Sequence, residues 1–413
     1  MSNYQLLDIS NQSESISFEK NQLKSCDYQN RFNRLLRYED SQRLVNINGE
    51  EESDLNSMIN QAVELNSYGQ VIDYQLKQEL VPTKYTQASN CFVENLALDE
   101  KIYIGHESIS KVSKKFSNLA VDMKITTSKK LVSLSTSSGS KVEFPMNNFS
   151  ISSLVTGCQE ENILFVASEL NEPVTSFADV TLYIEELIEN LDKSSNLITI
   201  EPGTYPVIFH PQLVYSGLLS VLHAGFNPIN LENKSSPLLD KVGKQILHES
   251  ISLLQNGDHF PIDFNGYSSD SVPVIENGQL CHLPIPPQIS KPLGKTVNGS
   301  SFDGSWFSDL TWVGGDKSFK EILSNIDYGI LVLMSGDMVM GNILQGDLSG
   351  TIQFGFLVKD GQIQGRIKDR SLGFNFYDSL NRNLIGLSSE LKRFGCSQYV
   401  KVPYVCIDGV RIS

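Results

Sequence analysis

The chain carries six histidines, at positions 106, 210, 223, 248, 259 and 282, and they are the first residues to ask about chemistry. Two are followed by glutamate, His106-Glu107 and His248-Glu249. That dipeptide opens a metalloprotease helix when a second histidine follows, because two imidazoles then hold the metal while the glutamate deprotonates its water. Ser110 and Lys111 occupy the follow-on positions of the first pair, and Ser252 and Leu253 those of the second, so both read as ordinary helix surface. His210, His259 and His282 stand beside prolines or in loops, with no acidic or thiol partner at ligand spacing, and read as structural or surface residues. There is no G-x-S-x-G, no P-loop and no G-x-G-x-x-G after a strand. The sixth histidine, His223, lies on an apolar helix, and Cys396 lies in FGCSQY near the end. Should they meet, they form a two-ligand metal pocket or a thiol–imidazole nucleophile pair. The bland alternative is a core histidine and a buried thiol.

His223 belongs to the stretch from Tyr205 to Gln245. Val207, Ile208 and Phe209 form a strand-like run, and Pro211 suits the first turn of a helix, where its missing N–H costs nothing. Leu213, Val214, Leu218, Leu219, Val221 and Leu222 give that helix more than one apolar face, so it is expected to be buried, with Gly225 closing it as a left-handed cap. A second helix is expected from Ser235 or Ser236, with Pro237 just inside and Leu238, Leu239, Val242 and Ile246 at helical spacing.

Tyr4 to about Asn48 reads as an antiparallel meander. Ser53 is placed to cap a helix with Leu55, Met58, Ile59, Ala62 and Val63 on one stripe. A helix over Glu107–Phe116, a hairpin around Ser137–Ser140 and an amphipathic helix from Phe177 follow. Beyond Gly257 the chain turns strand-rich, and Asn277-Gly278, Asp360-Gly361 and Asp408-Gly409 each mark a hairpin. The expected class is therefore α+β: an N-terminal domain over 1–196, mixing an antiparallel sheet with packed helices, and a strand-rich C-terminal domain over 197–413.

Composition narrows the partners. Asp and Glu number 48 against 33 Lys and Arg, a net charge of −15 that repels nucleic-acid backbones, and no basic patch offsets it. No apolar run reaches the length of a membrane span, and the start lacks a basic region followed by an apolar core, so the expectation is cytoplasmic. The six cysteines, at 26, 91, 158, 281, 396 and 406, show no C-x-x-C spacing and are expected to be reduced thiols.

The order of strand, buried helix and the Ser236-to-Gly243 spacing resembles the TldD/PmbA family, as do LTWVGGDKSFKEILSNIDYGILV, LSGTIQFGFLVKDGQIQGRIKD and the ending VPYVCIDGVRIS. In the metalloprotease half of that family the buried helix carries H-E-x-x-x-H, and a C-terminal cysteine completes the ligands. Counted back from Ser236, those positions fall near Leu219, Ser220 and Ala224, with His223 one residue off and Cys396 near the cysteine. The loop over Ile262–Leu280 has Ser268, Ser269, Asp270 and Ser271 where the family has acidic residues and glycine. The resemblance therefore implies the TldE (PmbA) half. Such a subunit has no catalytic residues, metal or cofactor of its own, and its partner is a TldD-like subunit that carries the zinc. The two act on unfolded peptides, with no role for nucleic acid or membrane. A self-sufficient hydrolase with a non-standard site, and a peptide-binding homodimer, are the alternatives.

Overall fold

The computed structural model describes residues 2–82, 96–159, 162–170, 176–298, 309–338, 341–367, 369–394 and 399–413. Two sheets carry the architecture, which is α+β with a strand-rich C-terminal half. The first is wholly antiparallel, in the order β4 (Gln70–Val71), β3 (Arg43–Gly49), β2 (Gln22–Asp40), β1 (Asn3–Glu19), β5 (Leu119–Thr136), β6 (Lys141–Gln159) and β7 (Asn162–Leu170). The expected meander is β1–β2–β3, and the expected hairpin joins β5 to β6.

This sheet changes its buried face partway along its strands. Leu7 and Ile9 on β1 face the same side as Val132 and Leu134 on β5. Ile16 and Phe18 face the opposite side, with Ile125 and Met123. The β1–β5 register is unbroken from Gln5 to Phe18, so the switch is made by a polar band around Asn11–Ser13, without a bulge. Helices α1 (Leu55–Leu65) and α2 (Leu98–Lys115) cover the side that holds Leu6 and Ile16. Phe260 and Ile262, from a C-terminal loop, cover the side that holds Leu7. Lys101 of α2, almost fully buried, is paired with Glu14 of β1, which offsets the cost of taking its charge out of water.

The second sheet has twelve strands: β8 (Leu197–Ile198), β9 (Gly203–Phe209), β10 (Leu253–Gln255), β11 (Val272–Glu276), β12 (Gln279–Leu280), β13 (Asp309–Trp312), β14 (Tyr328–Gly336), β15 (Asp347–Lys359), β16 (Gln362–Ile367), β17 (Arg370–Asn375), β18 (Leu384–Phe394) and β19 (Tyr399–Ile412). At its centre β9 lies between β14, parallel, and β19, antiparallel. Val207 and Phe209 pack on one face, while Ile208 packs on the other with α3 (Phe177–Lys193) and the helix-bearing side of the first sheet. A strand buried on both faces reads as a continuous apolar run, which is why Val207-Ile208-Phe209 shows no alternation.

The buried helix, α4, runs as Pro211–Leu213, a π turn over Val214–Leu218, and Leu219–Phe226. Several details differ from the sequence expectation. The helix expected over Glu107–Phe116 begins at Leu98, as α2. Asp54, one residue beyond Ser53, caps α1 by accepting from Ser57 N at 2.9 Å. Gly225 lies inside α4, where a Cβ would meet Leu238 Cδ1 at 2.7 Å, so close packing against the following turn explains the glycine. No helix forms from Ser236: after a short α5 (Pro228–Glu232), Ser236 Oγ instead donates to Gly225 O and accepts from Leu238 N. Gly243 there takes a φ of +79°, breaking helical continuation. Asn277-Gly278 and Asp360-Gly361 do turn hairpins, but Asp408-Gly409 is a bulge inside β19, where the pairing with β9 slips between Ile407 and Val410. Short helices α6 (Pro287–Leu293), α7 (Phe319–Ser324) and α8 (Phe376–Arg382) complete the set described. No described helix is long and apolar enough to cross a membrane.

Replacing Gly225 by valine is expected to lower stability by about 1–3 kcal/mol, the usual range for overpacking a filled core. Urea unfolding of the two proteins checks this, and an unchanged midpoint contradicts the packing account.

Candidate functional site

The strand–helix junction at the head of α4 opens into a cleft between the two sheets. Its cavity, about 200 Å³, is bounded by β7, α3, the start of α4 and the end of β18. Leu333, Phe354 and Phe394 supply apolar floor, while Glu186, His210 and Lys392 bring charge and polarity together.

His210 is placed by β9 and fixed by the helix it precedes. Its backbone N–H donates to Val332 O at 2.9 Å, and its Nδ1 accepts from Gln212 N at 3.2 Å as the cap of α4. With Nδ1 accepting, the neutral ring carries its hydrogen on Nε2, which faces Glu186 Oε1 at 3.6 Å. Burial lowers the imidazole's pKa and outweighs Glu186, so the ring is held neutral. Lys392 Nζ reaches both oxygens of Glu186, at 2.8 and 2.7 Å. Burial alone would raise the Glu186 carboxyl, but His210 and Lys392 reverse that and hold it at about 2. These contacts tie α3 to β18 and β9. Beside them Tyr183 Oη donates to Ser153 Oγ at 3.0 Å, and burial pushes its phenol to about 12.

A second histidine acquires a partner distant in sequence. His259 Nδ1 lies 2.8 Å from Asp309 Oδ2, and its ring stacks on Tyr399 with centroids 3.6 Å apart. Arg393 lies over the Tyr399 ring at 3.1 Å. Neither His210 nor His259 has an acidic partner at ligand spacing in the sequence, and the fold supplies one to each. Their carboxylates come from 24 and 50 positions away, on α3 and β13, and no local spacing could have marked them. His282 Nδ1 lies 2.6 Å from Pro273 O. His106 is on the exposed side of α2 as expected, whereas His248 is in a turn where its Nδ1 accepts from Ser250 N. The Ile262–Leu280 stretch also holds Asp263, a buried carboxyl.

His223 is half-buried on the last turns of α4, and Cys396 lies outside the described residues. Around His223 the helix offers Leu219, Ser220, whose hydroxyl donates to Gly217 O, and Ala224. Zinc needs converging His, Cys or carboxylate donors, and this set does not fit it. Among the described residues, no group of three or more His, Cys, Asp or Glu side chains could hold a metal. Tyr215, on the π turn, stacks on Phe394 at 5.4 Å and so packs the helix against the end of β18.

One wall of the cleft is an edge strand. Among the described residues β7 pairs with β6 alone, and its other edge is open where Val166 to Leu170 line the cavity. Such an edge offers unpaired backbone N–H and C=O groups to another extended chain.

The sequence and fold can be set beside known proteins. Residues 202–413 match the family model for the PmbA/TldA metallopeptidase C-terminal domain. The chain is 28% identical over 218 residues to a metalloprotease PmbA homolog of Haemophilus influenzae, a match covering 50% of this chain and 46% of that protein. It is 26% identical over 194 residues to metalloprotease PmbA of Escherichia coli O157:H7, covering 45% and 41%. Each match spans less than half of the relative's own length. The whole fold is similar to the crystal structure of TldE from Thermococcus kodakarensis, with a TM-score of 0.89 at 18% identity over 100% of this chain and 96% of that one.

The Glu186 contacts predict a pH window. A carboxyl held below its ordinary 4.5 contributes stability above that value and loses it as pH falls toward about 2. Lys392→Met should flatten the stability profile between those two values, and pH-dependent urea unfolding reads the difference. A variant profile parallel to that of the parent chain would rule the coupling out.

Proposed function

Because this chain belongs to the TldD/PmbA family, we propose that it is a TldE/PmbA-like subunit that binds unfolded peptide in extended form and performs no hydrolysis itself. A TldD-like metalloprotease subunit carries the zinc and cleaves. The observation behind this reading is the composition of α4. At the helix positions where a catalytic subunit needs two histidines and a glutamate, the side chains near Leu219, Ser220 and Ala224 can neither coordinate zinc nor accept a proton from its water.

The peptide-binding part of the proposal draws on the cleft. An extended segment laid along β7 would pair its backbone with the free edge, and that recognition does not depend on sequence. Alternate side chains would point toward the apolar floor of Leu333, Phe354 and Phe394 or away from it. The Glu186–Lys392 pair at the end of the cleft keeps that wall polar and in place. The net charge of −15 fits a peptide ligand better than nucleic acid, and a cytoplasmic setting accords with the reading.

Two measurements test it. The purified chain, assayed for metal and for cleavage of casein, should contain no stoichiometric zinc and cut nothing. One equivalent of zinc accompanied by cleavage would overturn the non-catalytic assignment. A fluorescent unfolded peptide should bind, and the same peptide N-methylated at alternate residues should lose most of its affinity. Equal binding of the two would exclude strand pairing.

A further inference from the structure

The loop over 260–268 packs on the odd-numbered face of β1. Phe260 and Ile262 pack there against Leu7, Val132 and Leu134. The loop's tip is a tight turn in which Asp263 N donates to Tyr267 O and Gly266 N to Asp263 O. The Asp263 side chain is only 1% exposed. Its Oδ1 accepts from Asn265 N and Tyr267 N, both at 2.9 Å, while Oδ2 is buried without a hydrogen-bond partner. Arg37 of β2 donates to Phe264 O at 2.6 Å and Asn265 Oδ1 at 3.2 Å, and so holds the same tip by its backbone and amide. Gln5 of β1 adds a bond to Asn265 O at 3.0 Å.

A carboxylate oxygen shut away from water and from donors penalises the ionised form, whereas a protonated carboxyl carries no net charge to desolvate. We propose that Asp263 is a proton-operated latch: protonated, it lets the 260–268 loop stay pressed on the N-terminal sheet, and its ionisation favours the loop's release. The groups around it set the balance. Burial raises the acid most, to about 7, against the two backbone donors, Asn265 and the Arg37 charge. On β2, Glu39 is also buried, but it accepts from Leu76 N. In the segment after β4, Tyr74 faces Arg37, and Lys77 sits over the Tyr267 ring at 5.6 Å. From α6 comes the uncharged Gln288.

The direction follows from linkage. In the released loop the acid returns toward its ordinary 3.8, so release gives up one proton between that value and about 7. The opening constant should therefore climb about tenfold per pH unit across that interval and level off above it.

Hydrogen exchange by mass spectrometry on the full chain, from pH 5 to 8.5 and corrected for intrinsic exchange, measures opening of the peptide that spans 260–268. The parent chain should show this rise and plateau, Asp263→Asn should be flat, and Glu39→Gln should keep the parent slope. A flat parent profile, a slope retained in D263N, or a slope lost in E39Q would each overturn the assignment. If D263N does not fold, the parent and E39Q profiles still decide it.

Discussion

The central strands of the larger sheet must be dry on both sides, and most of the molecule is arranged to meet that demand. Val207, Phe209, Ile330 and Val332 face one way, and Ile208 and Leu331 the other, all nearly inaccessible to water. Burying each such side chain contributes about 1.5–3 kcal/mol, but only if something apolar lies opposite. On the first side that cover is α4 and the turns after it. On the second it is α3, α2 and part of the N-terminal sheet, so the two halves of the chain complete each other's cores. The cleft exists where this cover is interrupted, between the open edge of β7 and the ends of β9 and β18.

Patterns confined to a few turns of chain were legible in the sequence. The β1–β2–β3 meander, α1, α3 and three of the four hairpins follow from alternation, helical spacing and turn residues, all local effects. What failed was decided by neighbours remote in sequence. Asp408-Gly409 has the chemistry of a hairpin, yet β19 continues through it because β9 on one side and β18 on the other hold it extended. Leu238, Leu239, Val242 and Ile246 have helical spacing, but Ser236 and Gly278 draw their backbone into turns: Ser236 Oγ holds Gly225 O, and Ile246 N donates to Gly278 O.

The site was only partly legible for the same reason. The letters of α4, from Pro211 to Phe226, show one histidine and no acidic residue. The pairing of His210 with Glu186 and Lys392 cannot be read from letters, because it joins three elements that only the fold brings together. Neutral His210 and ionised Glu186 also show why residue types alone mislead. The same burial acts on both, and the His210 hydrogen bond together with the Lys392 charge reverses its effect only for the carboxylate.

The polar band across β1, where the buried side changes over, has a consequence for how this chain can vary in length. Adding or deleting a single residue between Ile9 and Ile16 would turn one end of the strand inside out, leaving Leu7 or Ile16 in water. Two residues at once would preserve the phase, but only with matching changes in β2 and β5, which both run alongside this band without a break. Natural variants of this sheet should therefore differ by paired, even-numbered steps in that band.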